Sequence, residues 1–209
     1  MPFDPAALLR ALLPRRCPAC RQSLGQDAGV CSSCLNKWSA QITDASTLRE
    51  TRIPHLIYLG EYFGPLRRTV SALKYAGSRD IAPRVAPLLA KRIPAWWQLE
   101  GVCAVPLHRK RQRQRGFNQS ELIALEVAKI RGLPYLNALE RVRSTRQQAK
   151  LHGLERQKNV QNAFKVTSSV GGNVLLVDDV FTTGATLRDC ERALLEAGAK
   201  QVYFMVLAR

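Results

Sequence analysis

The segment VLLVDDVFTTGATL, from Val174 to Leu187, constrains the fold of this chain more than any other part of its sequence. It begins with four aliphatic residues, 174–177, which are typical of a strand buried on both faces of a parallel sheet. Two acidic residues and a short turn follow, and the turn leads into an amphipathic stretch. Because ligands bind beyond the carboxyl ends of the strands in an open parallel sheet, the segment predicts a binding site.

The turn after the acidic residues consists of Thr182, Thr183, Gly184, Ala185 and Thr186. A glycine lets the backbone approach a ligand closely, and successive N–H groups at the start of a helix attract a phosphate group. Asp178 and Asp179 would repel a bare phosphate, but carboxylates accept hydrogen bonds from hydroxyl groups and bind divalent cations. A sugar phosphate with vicinal hydroxyls therefore satisfies the whole segment. A simple helix cap is the alternative, and it leaves the order of strand, acids, turn and helix unexplained.

From about residue 55, short apolar runs alternate with amphipathic stretches. We predict strands at 56–59, 102–105, 174–177 and 201–207, and helices at 65–75, 81–93, 120–130 and 185–197. Asn118 or Ser120 is predicted to cap the helix at 120–130. This alternation predicts an α/β fold with a mostly parallel sheet and helices on both faces. Cys103 and Cys190 occupy apolar positions and are interpreted as buried thiols.

The other four cysteines form two CxxC pairs that are separated by ten residues: Cys17, Cys20, Cys31 and Cys34. Each pair makes a tight turn that directs two sulfurs to one centre, and two such turns complete the tetrahedral thiolate site of a structural zinc. A redox CxxC is the alternative, but redox motifs usually occur singly, after a strand of an α/β unit. We predict a small zinc ribbon over residues 1–45 and the α/β domain over residues 55–209.

The chain is strongly basic, with a net charge of +16 at pH 7. Residues 101–165 contain 14 Lys/Arg against 4 Asp/Glu and so carry +10 of that charge. This concentration favours a surface that binds a polyanion, although a solvated basic surface stays an alternative. The N-terminal residues show no basic leader before a long apolar core, and no stretch approaches the length of a membrane span. We therefore expect a cytoplasmic protein, and peripheral contact with the inner face of the membrane stays open.

The segment from Val174 to Leu187 closely resembles the phosphoribosyl-pyrophosphate motif of type I phosphoribosyltransferases. The resemblance implies that Asp178 and Asp179 hold the ribose hydroxyls. It implies that the turn from Thr182 to Thr186 binds the 5-phosphate, and that the ligand is phosphoribosyl pyrophosphate with Mg²⁺. The fold that it implies is the type I phosphoribosyltransferase-like α/β fold.

The resemblance also implies that the segment after the strand at 102–105 faces the pyrophosphate. We predict a basic loop there, with candidate contacts from Pro106, Leu107, His108, Arg109, Lys110 and Arg115. Arginine suits this task because its planar fork binds two oxygens at once. The five cations in this loop exceed what one pyrophosphate needs, and the surplus is either solvated or in contact with a nucleic-acid backbone.

A polar, basic stretch at 141–148 lies between that loop and the motif strand, and its position matches the flexible hood of type I enzymes. Such lids exclude water from the reacting centre. The resemblance makes Arg143, Thr145, Gln147 and Gln148 candidates for ligand contact. An exposed helical hairpin is the alternative, and no catalytic residue is assigned.

The order of motifs along the whole chain is similar to that of the competence protein ComF family. The double CxxC element is followed by LKYAG at 73–77, VPLHRKRQRQRGFNQ at 105–119, RVRSTRQQAKLHGLERQKNVQNAF at 141–164 and LLVDDVFTTGATL at 175–187. The resemblance implies a role in natural transformation, in the handling of incoming single-stranded DNA. The implied partners are single-stranded DNA and a competence helicase or another DNA-uptake protein. With an aromatic content of 7%, the sequence shows no evident platform for stacking bases.

Two other functions stay open at this point. A salvage-type phosphoribosyltransferase would attach ribose phosphate to a base or an amine. A non-catalytic DNA-binding adaptor would carry a vestigial site, although VDDVFTTGAT is chemically complete.

Overall fold

Seven strands lie in the computed structural model of the protein, which describes residues 15–45, 53–143 and 163–209. The strands are β1 (Gln41–Thr43), β2 (Leu56–Gly60), β3 (Leu99–Ala104), β4 (Leu139–Arg141), β5 (Phe164–Val166), β6 (Asn173–Val180) and β7 (Gln201–Ala208). Five of them form the central sheet in the order β1-β2-β7-β6-β3. β1 pairs antiparallel with β2, and the other three pairings are parallel. The carboxyl ends of four strands therefore meet at one edge of the sheet.

Six α-helices lie in the same described parts of the chain: α1 (Ser32–Leu35), α2 (Gly64–Tyr75), α3 (Ile81–Ala90), α4 (Arg109–Arg115), α5 (Gln119–Arg131) and α6 (Ala185–Glu196). The four predicted strands and the four predicted helices are confirmed to within a few residues. Asn118 caps α5, because its side chain accepts a hydrogen bond from the Ser120 N–H at 3.1 Å. None of these described helices has the length and apolar character that a membrane crossing needs.

The basic segment after β3 differs from the prediction, because Arg109–Arg115 is a helix and not a loop. Arginine, lysine and glutamine favour helix, and no glycine or proline interrupts them. His108 caps the start by accepting a hydrogen bond from the Lys110 N–H at 3.3 Å. Gly116 ends the helix in the left-handed conformation, with a φ of 77°.

The two faces of the central sheet bury different side chains, because successive residues of a strand point to opposite sides. On β6, Leu175 and Val177 join one apolar cluster, which also contains residues of α2, α3 and α5. Val174 and Leu176 join the other, which contains residues of α6 and of the β4–β5 pair. Helices thus cover both faces of a mostly parallel sheet, and the predicted fold class is confirmed.

β4 and β5 form a separate antiparallel pair that the sequence did not predict. Asp189 of α6 supports it by accepting hydrogen bonds from the N–H groups of Ala163, at 2.8 Å, and Phe164, at 3.3 Å. β4 ends at Arg141, where the basic 141–148 stretch begins, and that stretch lies largely outside the described residues.

The cysteine-rich element packs directly on α2 and α3. Arg68 of α2 donates hydrogen bonds to the carbonyls of Pro18, at 3.2 Å, and Ala19. Asp80 accepts a hydrogen bond from the Gly29 N–H at 3.0 Å. A Cβ at Gly29 would lie 2.4 Å from the Asp80 carbonyl oxygen, so this approach requires glycine. The domain boundaries at 45 and 55 stay a prediction, and β1, on the N-terminal side of them, belongs to the central sheet.

Candidate functional site

A cleft of about 740 Å³ opens at the carboxyl ends of β3 and β6. The predicted residues that line it are Pro106, Leu107, Arg115, Asp178, Asp179, Thr182 and Thr186. The lining also includes residues that were not among the named site candidates, such as Tyr62, Lys74, Tyr75, Arg111, Gln119 and Arg141. The structure therefore brings the acidic pair, part of the phosphate turn and part of the basic segment into one concavity.

The acidic pair lies within the last residues of β6, which continues to Val180 instead of ending at Val177. The Asp178 Oδ1 atom accepts hydrogen bonds from the Ser120 hydroxyl, at 3.0 Å, and from the Asp179 N–H, at 2.8 Å. Among the described residues, Asp178 Oδ2 has no hydrogen-bond partner. Asp178 is half-buried, so this oxygen is available to a ligand hydroxyl or a cation.

Both oxygens of the Asp179 side chain have protein partners among the described residues, unlike those of Asp178. Its Oδ1 atom lies 2.6 Å from the Lys74 ammonium, and the side chains of Lys74 and Asp179 are only 18% and 9% exposed. Its Oδ2 atom accepts a hydrogen bond from the Gln119 amide, whose oxygen accepts one from Arg115. The second acid of the motif is therefore held in place by side chains from α2 and α5.

The pKa values of the Asp178 carboxyl and of the Lys74 ammonium are both shifted from their ordinary values. Burial, and then repulsion from Asp179, raises the pKa of Asp178 to about 7. Burial alone would lower the pKa of Lys74, but attraction to Asp179 and Asp178 outweighs it and holds that pKa above its ordinary value. Lys74 is thus a cation at neutral pH, and Asp178 is near its midpoint there.

The raised pKa of Asp178 predicts a pH-dependent cost in stability. Since the fold favours the neutral carboxyl, the contribution of Asp178 is full below pH 4 and is lost as the pH rises through about 7. Asp178→Asn cannot ionise, so we expect it to melt several degrees above the natural protein at pH 8 and by a smaller margin at pH 5. Thermal melting at both pH values measures the difference, with the exposed Asp44→Asn as control. A margin that is absent, or equal at both pH values, would contradict the assignment.

The predicted phosphate turn leads directly into α6. Gly184 precedes the helix in the left-handed conformation, with a φ of 73°, which favours glycine. Thr183, Gly184 and Ala185 line a small cavity beside the cleft, together with Asp178, Thr182 and Thr186. The seven residues predicted to hold the ribose and its phosphate are therefore neighbours, and their role stays a prediction.

The six candidates for pyrophosphate contact are divided by the structure. Pro106, Leu107 and Arg115 line the cleft, while His108, Arg109 and Lys110 are not among its lining residues. Arg109 is an exposed residue of α4 that pairs with Glu140, with an Nη2–Oε1 distance of 2.7 Å. Because this segment is helical, Arg111 lines the cleft where His108, Arg109 and Lys110 were expected.

The candidates from the hood segment are mostly beyond what the structure describes. Thr145, Gln147 and Gln148 lie outside the described residues, and Arg143 is exposed. Arg141 is buried and lines the cleft, and its guanidinium lies 5.2 Å from the centre of the Phe164 ring. Burial, and then the neighbouring charge of Arg111, lowers the pKa of Arg141.

The four cysteines of the CxxC pairs converge on one point. The sulfurs of Cys17, Cys20, Cys31 and Cys34 all lie within 4.8 Å of one another, and those of Cys20 and Cys31 are 3.7 Å apart. A tetrahedral zinc with bonds of about 2.3 Å separates its sulfurs by about 3.8 Å, so the donors fit the metal.

The fold favours the thiolate form at one of these cysteines, Cys17. Burial alone would raise the pKa of the Cys17 thiol, but backbone N–H groups of Cys31, Cys20 and Ala19 outweigh it and bring the pKa to about 7. Burial and the neighbouring sulfurs raise the pKa of Cys34. Backbone N–H groups directed at a sulfur stabilise the thiolate that a zinc ion requires.

Comparison with known proteins matches two families to the chain. The family described as a double zinc ribbon domain matches residues 8–46, and the phosphoribosyl transferase domain family matches residues 122–209. The first match and the sulfur cluster support structural zinc. The second includes β6, the acidic pair and α6, and supports the phosphoribosyltransferase-like fold.

Curated relatives match almost the full length of the chain. DNA utilization protein YhgH of Salmonella typhi is 31% identical, over 92% of this chain and 83% of the relative. Competence protein F of Haemophilus influenzae is 30% identical, over 92% and 84% respectively. Competence protein ComFC of Bacillus subtilis is 28% identical, over 91% and 75%. The chain therefore belongs to the competence protein ComF family, as its motifs predicted.

Proposed function

We propose that this protein binds phosphoribosyl pyrophosphate with Mg²⁺ in the cleft and handles incoming single-stranded DNA during natural transformation. The observation that carries the proposal is the acidic pair at the end of β6, followed directly by the phosphate turn at the start of α6. Carboxylates suit the hydroxyls of a ribose, and the turn suits its 5-phosphate, so the two together select a ribose phosphate.

Magnesium fits the same place. Mg²⁺ usually binds one or two carboxylates together with phosphate oxygens of the ligand, and it keeps several waters. Asp178 has an oxygen without a protein partner among the described residues, whereas Lys74 already neutralises Asp179. Asp178 is thus the residue that would approach the cation, which would screen the negative charge of the pyrophosphate.

The basic side of the cleft supports the DNA part of the proposal. Arg111 and Arg115 line the cleft, and the other cations of α4 lie outside it. A single strand could follow that surface through its phosphates. The names of the relatives, which refer to competence and to DNA utilization, support the same setting. We place this work in the cytoplasm, at the inner face of the membrane, with a DNA-uptake helicase as the expected partner.

Calorimetry with phosphoribosyl pyrophosphate and MgCl₂ tests the ligand. We expect the natural protein to bind it and Asp178→Asn/Asp179→Asn to bind at least about 100-fold more weakly, since two charged hydrogen-bond acceptors at about 1.5–3 kcal/mol each are lost. Asp44→Asn removes an exposed carboxylate elsewhere and should bind normally. Circular dichroism confirms that each variant is folded. Unchanged binding by the folded double variant would show that the acidic pair is not the ligand site.

A further inference from the structure

Two exposed aromatic side chains line the cleft. In the described part of the chain, the exposed aromatic residues are Tyr62, Phe63, Tyr75 and Trp96. Tyr62 and Tyr75 line the cleft, and Phe63 is the next residue after Tyr62. The overall aromatic content argued against a stacking platform, but the positions of these few rings matter more than their number.

Tyr75 is the most prominent of these rings. It is 79% exposed, although it lines the same cleft as the buried Asp179. The Arg115 guanidinium lies 5.2 Å from the centre of its ring, within the range of a cation–π contact. An exposed ring beside an arginine presents a flat face and a positive charge together.

Neighbouring contacts connect this ring with the acidic pair. Lys74, the residue before Tyr75, ends in the ion pair with Asp179, and this anchors the last turn of α2. Arg115 donates to Gln119, which donates to Asp179. The ring and its arginine are therefore both held by residues that contact the second acid of the motif.

We propose that Tyr75 and Arg115 form a stacking site for an unpaired nucleobase of a single strand, at the entrance to the ribose-phosphate cleft. The proposal rests on the proposed function in one respect, that a single strand follows the basic side of this cleft. Every nucleobase has a face that can stack on an aromatic ring, so the site would tolerate any sequence. Bases in a duplex are stacked on one another, so the site selects single strands.

The test measures binding of a labelled oligothymidylate of roughly 15 nucleotides, a length in the range of single-strand binding sites. Fluorescence anisotropy is recorded at several salt concentrations. We expect Tyr75→Ala to weaken binding by about 5- to 150-fold with the salt slope unchanged, because stacking releases no counterions. Tyr75→Phe keeps the ring and should bind like the natural protein. Arg115→Gln should lower the salt slope by about 0.7, the value for one phosphate contact on a single strand.

A strand of the same length without bases supplies the decisive comparison. If the ring contacts a base, Tyr75→Ala should bind the abasic strand as well as the natural protein does. Trp96→Ala removes an exposed aromatic residue outside the cleft and should not affect either strand. Equal weakening of both strands by Tyr75→Ala, no weakening of either, or a loss in Tyr75→Phe as large as in Tyr75→Ala would each overturn the stacking site.

The outcomes also separate this proposal from the proposed function. If the natural protein does not bind oligothymidylate, the DNA part of the proposed function fails, and the stacking site fails with it. If it binds but Tyr75→Ala has no effect, only the stacking site fails. A last outcome is that calorimetry detects no binding of phosphoribosyl pyrophosphate, while Tyr75→Ala weakens binding of the strand with bases and not of the abasic strand. In that case the ligand assignment fails and the stacking site stands.

Discussion

Cys20→Ser is expected to lose its zinc and to melt about 10 °C or more below the natural protein. The change from sulfur to oxygen leaves the shape of the side chain almost intact, so little packing is lost. Structural zinc contributes about 10–16 kcal/mol to the folding of isolated finger peptides, and here we expect a loss of about 5 kcal/mol. A loss of 1 kcal/mol shifts the melting temperature of a domain of this size by about 2–4 °C.

The loss of stability should extend beyond the cysteine cluster, because α2 and α3 pack on the cysteine-rich element. Arg68 binds the carbonyls of the first CxxC turn, and Arg84 donates to Asp27, at 3.1 Å, and to the Val30 carbonyl, at 3.4 Å. Without the metal these partners are no longer held in position, and the face of α2 and α3 that they cover becomes exposed.

Metal analysis and thermal melting together measure this prediction. The natural protein should carry one zinc per chain, and Cys20→Ser should carry almost none. Cys103→Ala is the matched control, because Cys103 is a buried thiol of β3 outside the cluster and its loss should leave the zinc content unchanged. A Cys20→Ser protein that keeps its melting temperature would mean that the element is not stabilised by metal.

The fold was largely predictable because its signals are local. The run Val174–Val177 is apolar on both faces because helices cover both faces of the sheet at β6, and this requirement is visible in four adjacent residues. The cysteine spacing and the sequence of strand, acids and turn are local in the same way. Each of them identifies a position without any knowledge of what lies opposite.

The parts of the site that could not be predicted depend on contacts between distant segments. Lys74 and Asp179 are separated by more than 100 residues. Lys74 lies in the LKYAG motif, but the motif does not indicate which residue its side chain contacts. The sequence predicts Gln119 and Ser120 only as the start of α5. Their hydrogen bonds to the acidic pair arise because α5 packs beside β6. The arginines and glutamines of α4 favour a helix, and this local signal was available. The high charge of the segment led instead to the prediction of a loop.

Lys74→Met is expected to destabilise the protein by about 3 kcal/mol at pH 8. Methionine keeps the length of the side chain but removes the charge that neutralises Asp179. Breaking a buried ion pair on one side costs about 3–5 kcal/mol, because the remaining charge is left without its partner. We choose the lower value because the Lys74 side chain is 18% exposed. The same change should weaken binding of phosphoribosyl pyrophosphate, since Asp179 would no longer be held in position.

The pH dependence and a second substitution identify the cause. The Lys74 charge lowers the pKa of Asp178, so without it that pKa would rise further, and the defect should grow between pH 5 and pH 8 as Asp178 loses its proton. Lys74→Met/Asp179→Asn removes both charges and should recover part of the loss, which a double-mutant cycle measures by denaturant unfolding. Lys91→Met changes an exposed lysine and should cost less than about 0.5 kcal/mol. A defect of equal size at both pH values, with no recovery in the double variant, would show that Lys74 contributes through packing and not through its charge.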